Sequence, residues 1–424
     1  MHTVDIRDGD LVVTAGYTAG RLLEAVADSG ASVSVLVAGP TFDREYVGPS
    51  LRTFAAEAPN ASLQVLLPQG ETLSLVDDGM AAYVPSRSPD QTELVRRTMA
   101  RADRVVAGFE TSVPKNGTLT PGACGLFTTT VLGSADVTVA EVNPNAPRLP
   151  GLSFRADRFD HLLDAECDLP RTERPAVDAT WAQVGENVAG IVPDGATVEL
   201  GVGRVSEAVG AALTDHDNLG VHSGLVAPPV RDLIECGAVT RGTLVAERRD
   251  DCPLDYPILA NTVLGDDQAF YDWAVDSRTV ALSNMRKTTD PSLVASNPKF
   301  TAINGALQVD IQGQVNAERA GGRQLGTAGG QPAYFRAARK SSGGAGIVAL
   351  PSKRANGGSN IVPSLLEDSV VTTTRLDYDC VVTEHGVARL FGEEIAGRTE
   401  ALIGVAPPDE RASLSHTAET FGLL

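Results

Sequence analysis

Short β-branched runs alternate along this chain with longer stretches whose apolar residues recur at helical spacing. Leu11-Val12-Val13 is followed by a glycine-containing turn and then by Arg21-Leu22-Leu23-Glu24-Ala25-Val26, which reads as a helix. Val33-Ser34-Val35-Leu36-Val37 reads as the next strand. Strand, glycine turn, helix and strand in that order is the βαβ signature of an open parallel sheet covered by helices. The same grammar returns at Thr197-Val198-Glu199-Leu200, through Gly201-Val202-Gly203 and a helix over Glu207 to Leu213, into Leu219-Gly220-Val221-His222. The two stretches superpose: Arg7-Asp8-Gly9-Asp10-Leu11-Val12 lines up with Pro193-Asp194-Gly195-Ala196-Thr197-Val198. In each, an Asp-Gly turn launches a buried strand. A separation of about half the chain predicts two similar open α/β domains. The polar, proline-containing Arg171-Thr172-Glu173-Arg174-Pro175 reads as their linker, so the boundary is placed near residue 180, giving domains 1–180 and 181–424.

Later segments add detail. Gly326 to Gln331 and Ser341 to Gly346 read as flexible glycine loops. The second feeds a strand at Ile347-Val348-Ala349-Leu350, which Pro351 ends. Lys353 to Ser359 reads as a polar turn. Val370-Val371-Thr372-Thr373 and Cys380-Val381-Val382-Thr383 read as further strands.

Composition narrows the function. The 424 residues are 42% hydrophobic and 21% charged, as in an ordinary soluble chain, and hold no apolar run of membrane-spanning length. The start lacks a basic segment followed by an apolar one, so a cytoplasmic location is the expectation. The net charge is −19, which disfavours a nucleic-acid partner. Five scattered cysteines without a CxxC pair predict neither a disulfide framework nor a zinc site. The six histidines, at 2, 161, 216, 222, 385 and 416, form no metal-binding pattern, so no metal is expected.

Taken in order, several segments resemble the acetyl-CoA hydrolase/CoA-transferase family, which includes the 4-hydroxybutyrate CoA-transferases. They are Ala302-Ile303-Asn304-Gly305-Ala306-Leu307-Gln308-Val309-Asp310, Gly313-Gln314-Val315-Asn316-Ala317-Glu318, the Gly326 to Gln331 loop, Val382-Thr383-Glu384-His385-Gly386 and, more faintly, Glu141-Val142-Asn143-Pro144-Asn145. The resemblance implies CoA-transferase-like α/β domains with the active site in the cleft between them, and a homodimer or higher oligomer. It implies coenzyme A as part of substrate or product, a small acyl-CoA with a small acceptor as partners, and no membrane. Family transferases attack the thioester with a glutamate and pass through a glutamyl-CoA thioester. The matching segment here is Leu219-Gly220-Val221-His222-Ser223-Gly224-Leu225, and the nucleophile's position is held by Gly224. Glycine cannot form an anhydride. The chain is therefore read as a divergent member that lacks the usual catalytic glutamate.

The resemblance also nominates site residues. Val205, following Gly201-Val202-Gly203, would offer one oxyanion N–H; Gly329 and Gly330 would offer the second donor region. Glu199, at a strand end beside that turn, is the first candidate for general base or replacement nucleophile. His385 in the Glu384-His385 turn is a candidate acid/base. Gly201, Gly203, His222, Ser223, Asn304, Gly329 and Ser359 are candidate substrate or CoA contacts. Each has a plainer reading: tight turns that need glycine, hydrogen-bonded histidines, and a strand glutamate satisfied by its neighbours. Arg336, Lys353 and Arg354 are candidate partners for the anionic CoA tail.

Three functions stay open at this point. The first is an enzyme acting on a small acyl-CoA thioester without a glutamyl-CoA intermediate, by hydrolysis, cyclisation to a lactone or lactam, or acyl transfer. The second is an acyl-CoA:carboxylate CoA-transferase with a relocated carboxylate such as Glu199. The third is a non-catalytic CoA-ligand-binding or partner subunit.

Overall fold

The computed structural model describes residues 4–18, 20–41, 47–58, 60–354 and 357–424, so His2 and the middle of the polar turn 353–359 lie outside the described residues. The chain divides into two compact units. One comprises residues up to Thr172 with Asp251–Pro253 and Leu259–Thr288; the other comprises Glu173–Asp250, Leu254–Ile258 and Thr289–Leu424. A single boundary near residue 180 therefore does not describe the chain path. Leu259–Thr288 returns to the first unit because its backbone is bonded there. Asn261 O accepts from Gly125 N, Ala123 O from Val263 N and Pro150 O from Leu282 N, each at 2.8 Å.

The first unit is built on a seven-stranded parallel sheet. Its order is Ala82–Tyr83, Ser62–Val65, Ser34–Val37, Leu11–Thr14, Val105–Thr111, Val137–Val142 and His161–Asp164. Leu11–Thr14 and Val105–Thr111 are buried along their whole length, as expected for a parallel sheet covered on both faces. The helix Arg21–Ser29 turns Leu22, Leu23 and Val26 inward and ends at Gly30, whose φ of 64° supplies a left-handed cap.

The second unit repeats the plan. Its sheet runs Val239–Arg241, Leu219–Val221, Thr197–Glu199, Phe300–Gly305, Ala345–Ala349, Cys380–Thr383 and Gly386–Arg389, with only the last pair antiparallel. Phe300, Phe335, Tyr378, Val381 and Leu402 belong to its core. The sequence repeat is a repeat of geometry. Asp8 Oδ1 accepts from Ser32 N at 2.8 Å, and Asp194 Oδ1 from Asp217 N at 2.9 Å. Gly9 and Gly195 both take positive φ, 85° and 70°, which few other residues adopt cheaply. Each also donates its N–H back across the turn, Gly9 to Ser32 O and Gly195 to Asp217 O. One aspartate and one left-handed glycine thus set the entry to the central strand in both units.

One expected strand is absent. Val370 and Val371 are 37% and 48% exposed, and Thr373 makes a single bridge to Val315. Only the end of the β-branched run meets the strand Val315–Asn316, through Thr372 and Thr373, and Val370 and Val371 stay outside that contact. Among the described residues no helix is long and apolar enough to cross a membrane.

In each sheet the strand order reverses beside the repeated strand, between Leu11–Thr14 and Val105–Thr111 in one unit and between Thr197–Glu199 and Phe300–Gly305 in the other. Ligands of open α/β sheets bind at the carboxyl ends of strands at such a switch point. The first unit closes this place with backbone: a Cβ on Gly16 would lie 2.6 Å from Cys124 O. The second leaves it open, since a Cβ on Gly201 or Gly203 would meet nothing within 4 Å.

Candidate active site

Glu199 ends its strand directly at the open switch point. Its side chain is 4% exposed, and Asn304 Nδ2, from the facing strand, donates to Glu199 Oε2 at 2.6 Å. Burial pushes the Glu199 carboxyl up to about 8, against hydrogen bonds from Asn304 and the Ile303 backbone that pull it down. Desolvation wins because a buried carboxylate loses its water and gains only two donors.

Beside this pair lies a cavity of about 330 Å³, lined by Trp181, Gly201, Val202, Arg204, Val205, Ser206, Ile303, Asn304, Gly305, Ala306, Leu307 and Ala317. Three residues nominated from the sequence, Gly201, Val205 and Asn304, therefore share one wall. Gly203, with φ of 96°, turns the chain from Gly201 into the helix Arg204–Ala212. The first N–H groups of that helix, those of Val205 included, lack intrahelical carbonyls and carry the positive end of the helix dipole. Glu199 does not line the cavity; it holds Asn304, which does.

Behind Glu199 is a second cluster, and it contains a residue that the sequence reading missed. The Tyr334 side chain is 3% exposed, and its hydroxyl is buried without a hydrogen-bond partner among the described residues. Burial and the nearby Glu199 carboxyl hold the Tyr334 phenol well above its ordinary value, opposed by the Gly224 backbone that faces it. Gly330 caps the helix Gln331–Lys340, and a Cβ there would collide with the Tyr334 ring. Gly224 and Gly330 are thus drawn together by one tyrosine. Gln331 ties this turn to the cavity rim, donating from Nε2 to Gly305 O at 2.8 Å. No motif announces Tyr334. The available signal was a polar aromatic one helical turn after a double glycine.

The other nominated residues find structural partners. His222 is fully buried, with Nδ1 2.7 Å from Thr243 Oγ1 and its ring 6.4 Å from the Tyr334 ring. Ser223 Oγ donates to Leu200 O at 2.8 Å, a backbone bond that occupies its hydroxyl hydrogen. Gly329 takes a positive φ of 50° in the turn before Gly330. Ser359 Oγ donates to Ile361 O at 2.6 Å within its own turn. His385 stands past the end of Cys380–Thr383, with Nε2 3.5 Å from Glu384 Oε1. Glu384 in turn accepts from Ser352 N at 2.8 Å and from Ser352 Oγ at 2.5 Å. His385 is absent from the cavity wall. Two of the candidate cations are ion-paired: Arg336 with Asp377 at 2.9 Å and Lys353 with Asp409 at 2.8 Å. Among the described residues no group of three or more His, Cys, Asp or Glu forms a metal set.

Comparison with known proteins gives this geometry a context. The acetyl-CoA hydrolase/transferase C-terminal domain matches residues 266–418. The chain is 33% identical over 350 residues to the 4-hydroxybutyrate coenzyme A transferase of Clostridium kluyveri, covering 81% of this chain and 79% of that protein. The structure superposes on RipA from Yersinia pestis with a TM-score of 0.86 at 26% identity, over 99% of this chain and 96% of RipA. It superposes on a 4-hydroxybutyrate CoA-transferase from Porphyromonas gingivalis with a TM-score of 0.74 at 25% identity, over 98% and 94%.

Proposed function

We propose, for a chain that belongs to the acetyl-CoA hydrolase/transferase family, that it acts on the thioester of a small acyl-CoA without forming a glutamyl-CoA intermediate. The observation that carries this reading is the lack of an ionised carboxylate where one is needed. Position 224 is glycine. Among the described residues no Asp or Glu lines the cavity, and Glu199 is buried and largely protonated at neutral pH. A protonated carboxyl behind Asn304 is a poor nucleophile, which also weighs against Glu199 as a relocated transferase glutamate.

What the site offers instead is positioning and charge stabilisation. A thioester carbonyl placed over the Gly201-to-Val205 turn meets the N–H groups at the start of the helix Arg204–Ala212. Such donors stabilise the oxyanion of a tetrahedral intermediate. Asn304, held in one orientation by Glu199, presents a fixed amide to the same space. The attacking group is then neutral: water, a hydroxyl or an amine. The new bond forms at the carbonyl carbon, the carbon–sulfur bond breaks, and the attacking group's proton leaves with the CoA thiol. The products are free CoA and an acid, a lactone or lactam, or an acylated acceptor.

Purified chain incubated with a panel of short acyl-CoAs tests this. The expected result is release of free CoA thiol with no carboxylate acceptor added. Exchange of CoA that occurs only when an acceptor carboxylate is present would refute it in favour of CoA transfer. Failure of the chain alone to turn over any acyl-CoA would favour a ligand-binding or partner subunit.

A further inference from the structure

Resting on the reading of this cavity as the thioester site, we propose that Ser206 is a further catalytic residue, whose hydroxyl donates a hydrogen bond to the thioester oxygen as that oxygen gains charge. Ser206 is the one hydroxyl-bearing residue of the cavity wall, and it is only 3% exposed. Among the described residues its hydroxyl makes no hydrogen bond, and it is not sealed inside the protein as the Tyr334 hydroxyl is. Buried hydroxyls are nearly always paired, so an unpaired one that opens onto a cavity marks a place for a ligand atom. Its polar neighbours are already engaged: Asn304 Nδ2 donates to Glu199, and Ser223 Oγ donates to Leu200 O.

Position on the helix decides what the hydroxyl can reach. Ser206 is the third residue of the helix Arg204–Ala212, and the cap, Gly203, has no side chain to bond the first N–H groups. The first intrahelical bond runs from Glu207 N to Gly203 O at 3.1 Å. The N–H groups of Arg204, Val205 and Ser206 therefore have no intrahelical acceptor. Helical side chains lean toward the N-terminus of their own helix, so the Ser206 hydroxyl leans over the turn where those N–H groups point. One oxygen placed there meets backbone donors and a hydroxyl together. Both interactions strengthen as the oxygen becomes an oxyanion. The hydroxyl acts as a donor and keeps its proton. Among the described residues no His, Asp or Glu lines the cavity to take that proton, so Ser206 is not the attacking group. The attacker's proton leaves with the CoA thiol, as above.

Ser206→Ala is the decisive variant, because it removes a single oxygen and alanine is the better helix former. Its thermal midpoint is expected to equal or exceed that of the native chain. In steady-state assays with a short acyl-CoA, kcat is expected to fall on the order of 10²-fold with KM little changed, the usual result of losing one oxyanion donor. Ser206→Thr, which keeps a hydroxyl, is expected to retain most of the activity. A second readout needs no turnover. It uses a ketone analogue of butyryl-CoA with a methylene in place of the thioester sulfur, and reads the carbonyl stretch of the bound ligand by isotope-edited infrared difference spectroscopy. The stretch is expected to lie lower on the native chain than on Ser206→Ala. Equal stretches on the two proteins overturn the proposal, as does a Ser206→Ala kcat within about twofold of native. An acyl group found on Ser206 after quenching also overturns it, and makes Ser206 a nucleophile. The outcome is separable from the catalytic reading. A chain that releases no CoA from any acyl-CoA contradicts the reaction proposed above, while the carbonyl stretch still decides whether Ser206 bonds the oxygen.

Discussion

Asn304 Nδ2 donates to Glu199 Oε2 at 2.6 Å across the point where the strand order of the second sheet reverses. This bond joins a buried acid to the wall of the cavity, and removing either partner reports on a different part of the account. In Asn304→Ala the carboxyl loses its largest stabilising donor, so its pKa rises further. A buried acceptor is left unsatisfied, costing roughly 1–3 kcal/mol. The expected outcome is a lower midpoint in thermal unfolding and a weaker thioester activity. Unchanged stability would mean that solvent already satisfies Glu199.

Glu199 also makes stability depend on pH with a definite sign. Folded, it keeps its proton up to about pH 8, whereas a solvated glutamate releases it near 4.5. Between those values the folded state binds more protons than the unfolded one. Its contribution is therefore fully present below about 4.5 and is lost as pH rises through 8, with a slope of at most about 1.4 kcal/mol per pH unit. Glu199→Gln should remove this dependence, so its stability relative to the native chain should increase with pH. Denaturant titrations at a series of pH values check it; parallel curves for the two proteins would place Glu199 in water. If ionised Glu199 assists the reaction, the native rate should rise through pH 8 and the Gln variant should lack that rise.

Tyr334 gives a stability test with an unusual direction. Among the described residues its buried hydroxyl has no well-formed hydrogen bond and is faced only by the Gly224 backbone, so Tyr334→Phe removes a poorly satisfied hydroxyl and leaves the ring in place. The expected effect is neutral or stabilising by up to ~1 kcal/mol. Gly330→Ala drives a Cβ into that ring and should destabilise by about 1–3 kcal/mol, the usual cost of overpacking. A clear loss of stability in Tyr334→Phe would reveal an acceptor for the hydroxyl.

On the reading that Gly224 stands where the family's transferases carry their glutamate, Gly224→Glu puts a carboxylate there. The variant is expected to gain some CoA transfer between acetyl-CoA and a second carboxylate and to lose part of its native activity. A folded variant with neither transfer nor adduct would contradict the alignment of Gly224 or the presence of usable oxyanion donors.

Much of the second unit could be read from local sequence, and the reasons are specific. Asp8-Gly9 and Asp194-Gly195 are visible because an Asx-type turn and a left-handed glycine are properties of adjacent residues. Gly201 stood out as a glycine turn after a strand, whereas Val205 and Asn304 were nominated through the family resemblance. The return of Leu259–Thr288 to the first unit was not, because it depends on hydrogen bonds to Gly125, Ala123 and Pro150 that no local pattern encodes. Val370–Thr373 misled for the converse reason: β-branched residues favour strands, yet a strand needs a partner along its length, and only its end, Thr372 and Thr373, meets one. Tyr334 was hidden in plain helix. What marks it is the missing Cβ at Gly330, a fact of three dimensions.

The central claim is thioester chemistry without a covalent enzyme–CoA intermediate. Its most direct test is intact-protein mass spectrometry of the native chain quenched during turnover of an acyl-CoA, with borohydride reduction in parallel. The account predicts release of free CoA with the protein mass unchanged and no reduced glutamyl residue after borohydride. A CoA-sized mass increase that maps to Glu199 or to any other carboxylate would contradict it and make the chain a CoA-transferase with a relocated glutamate or aspartate.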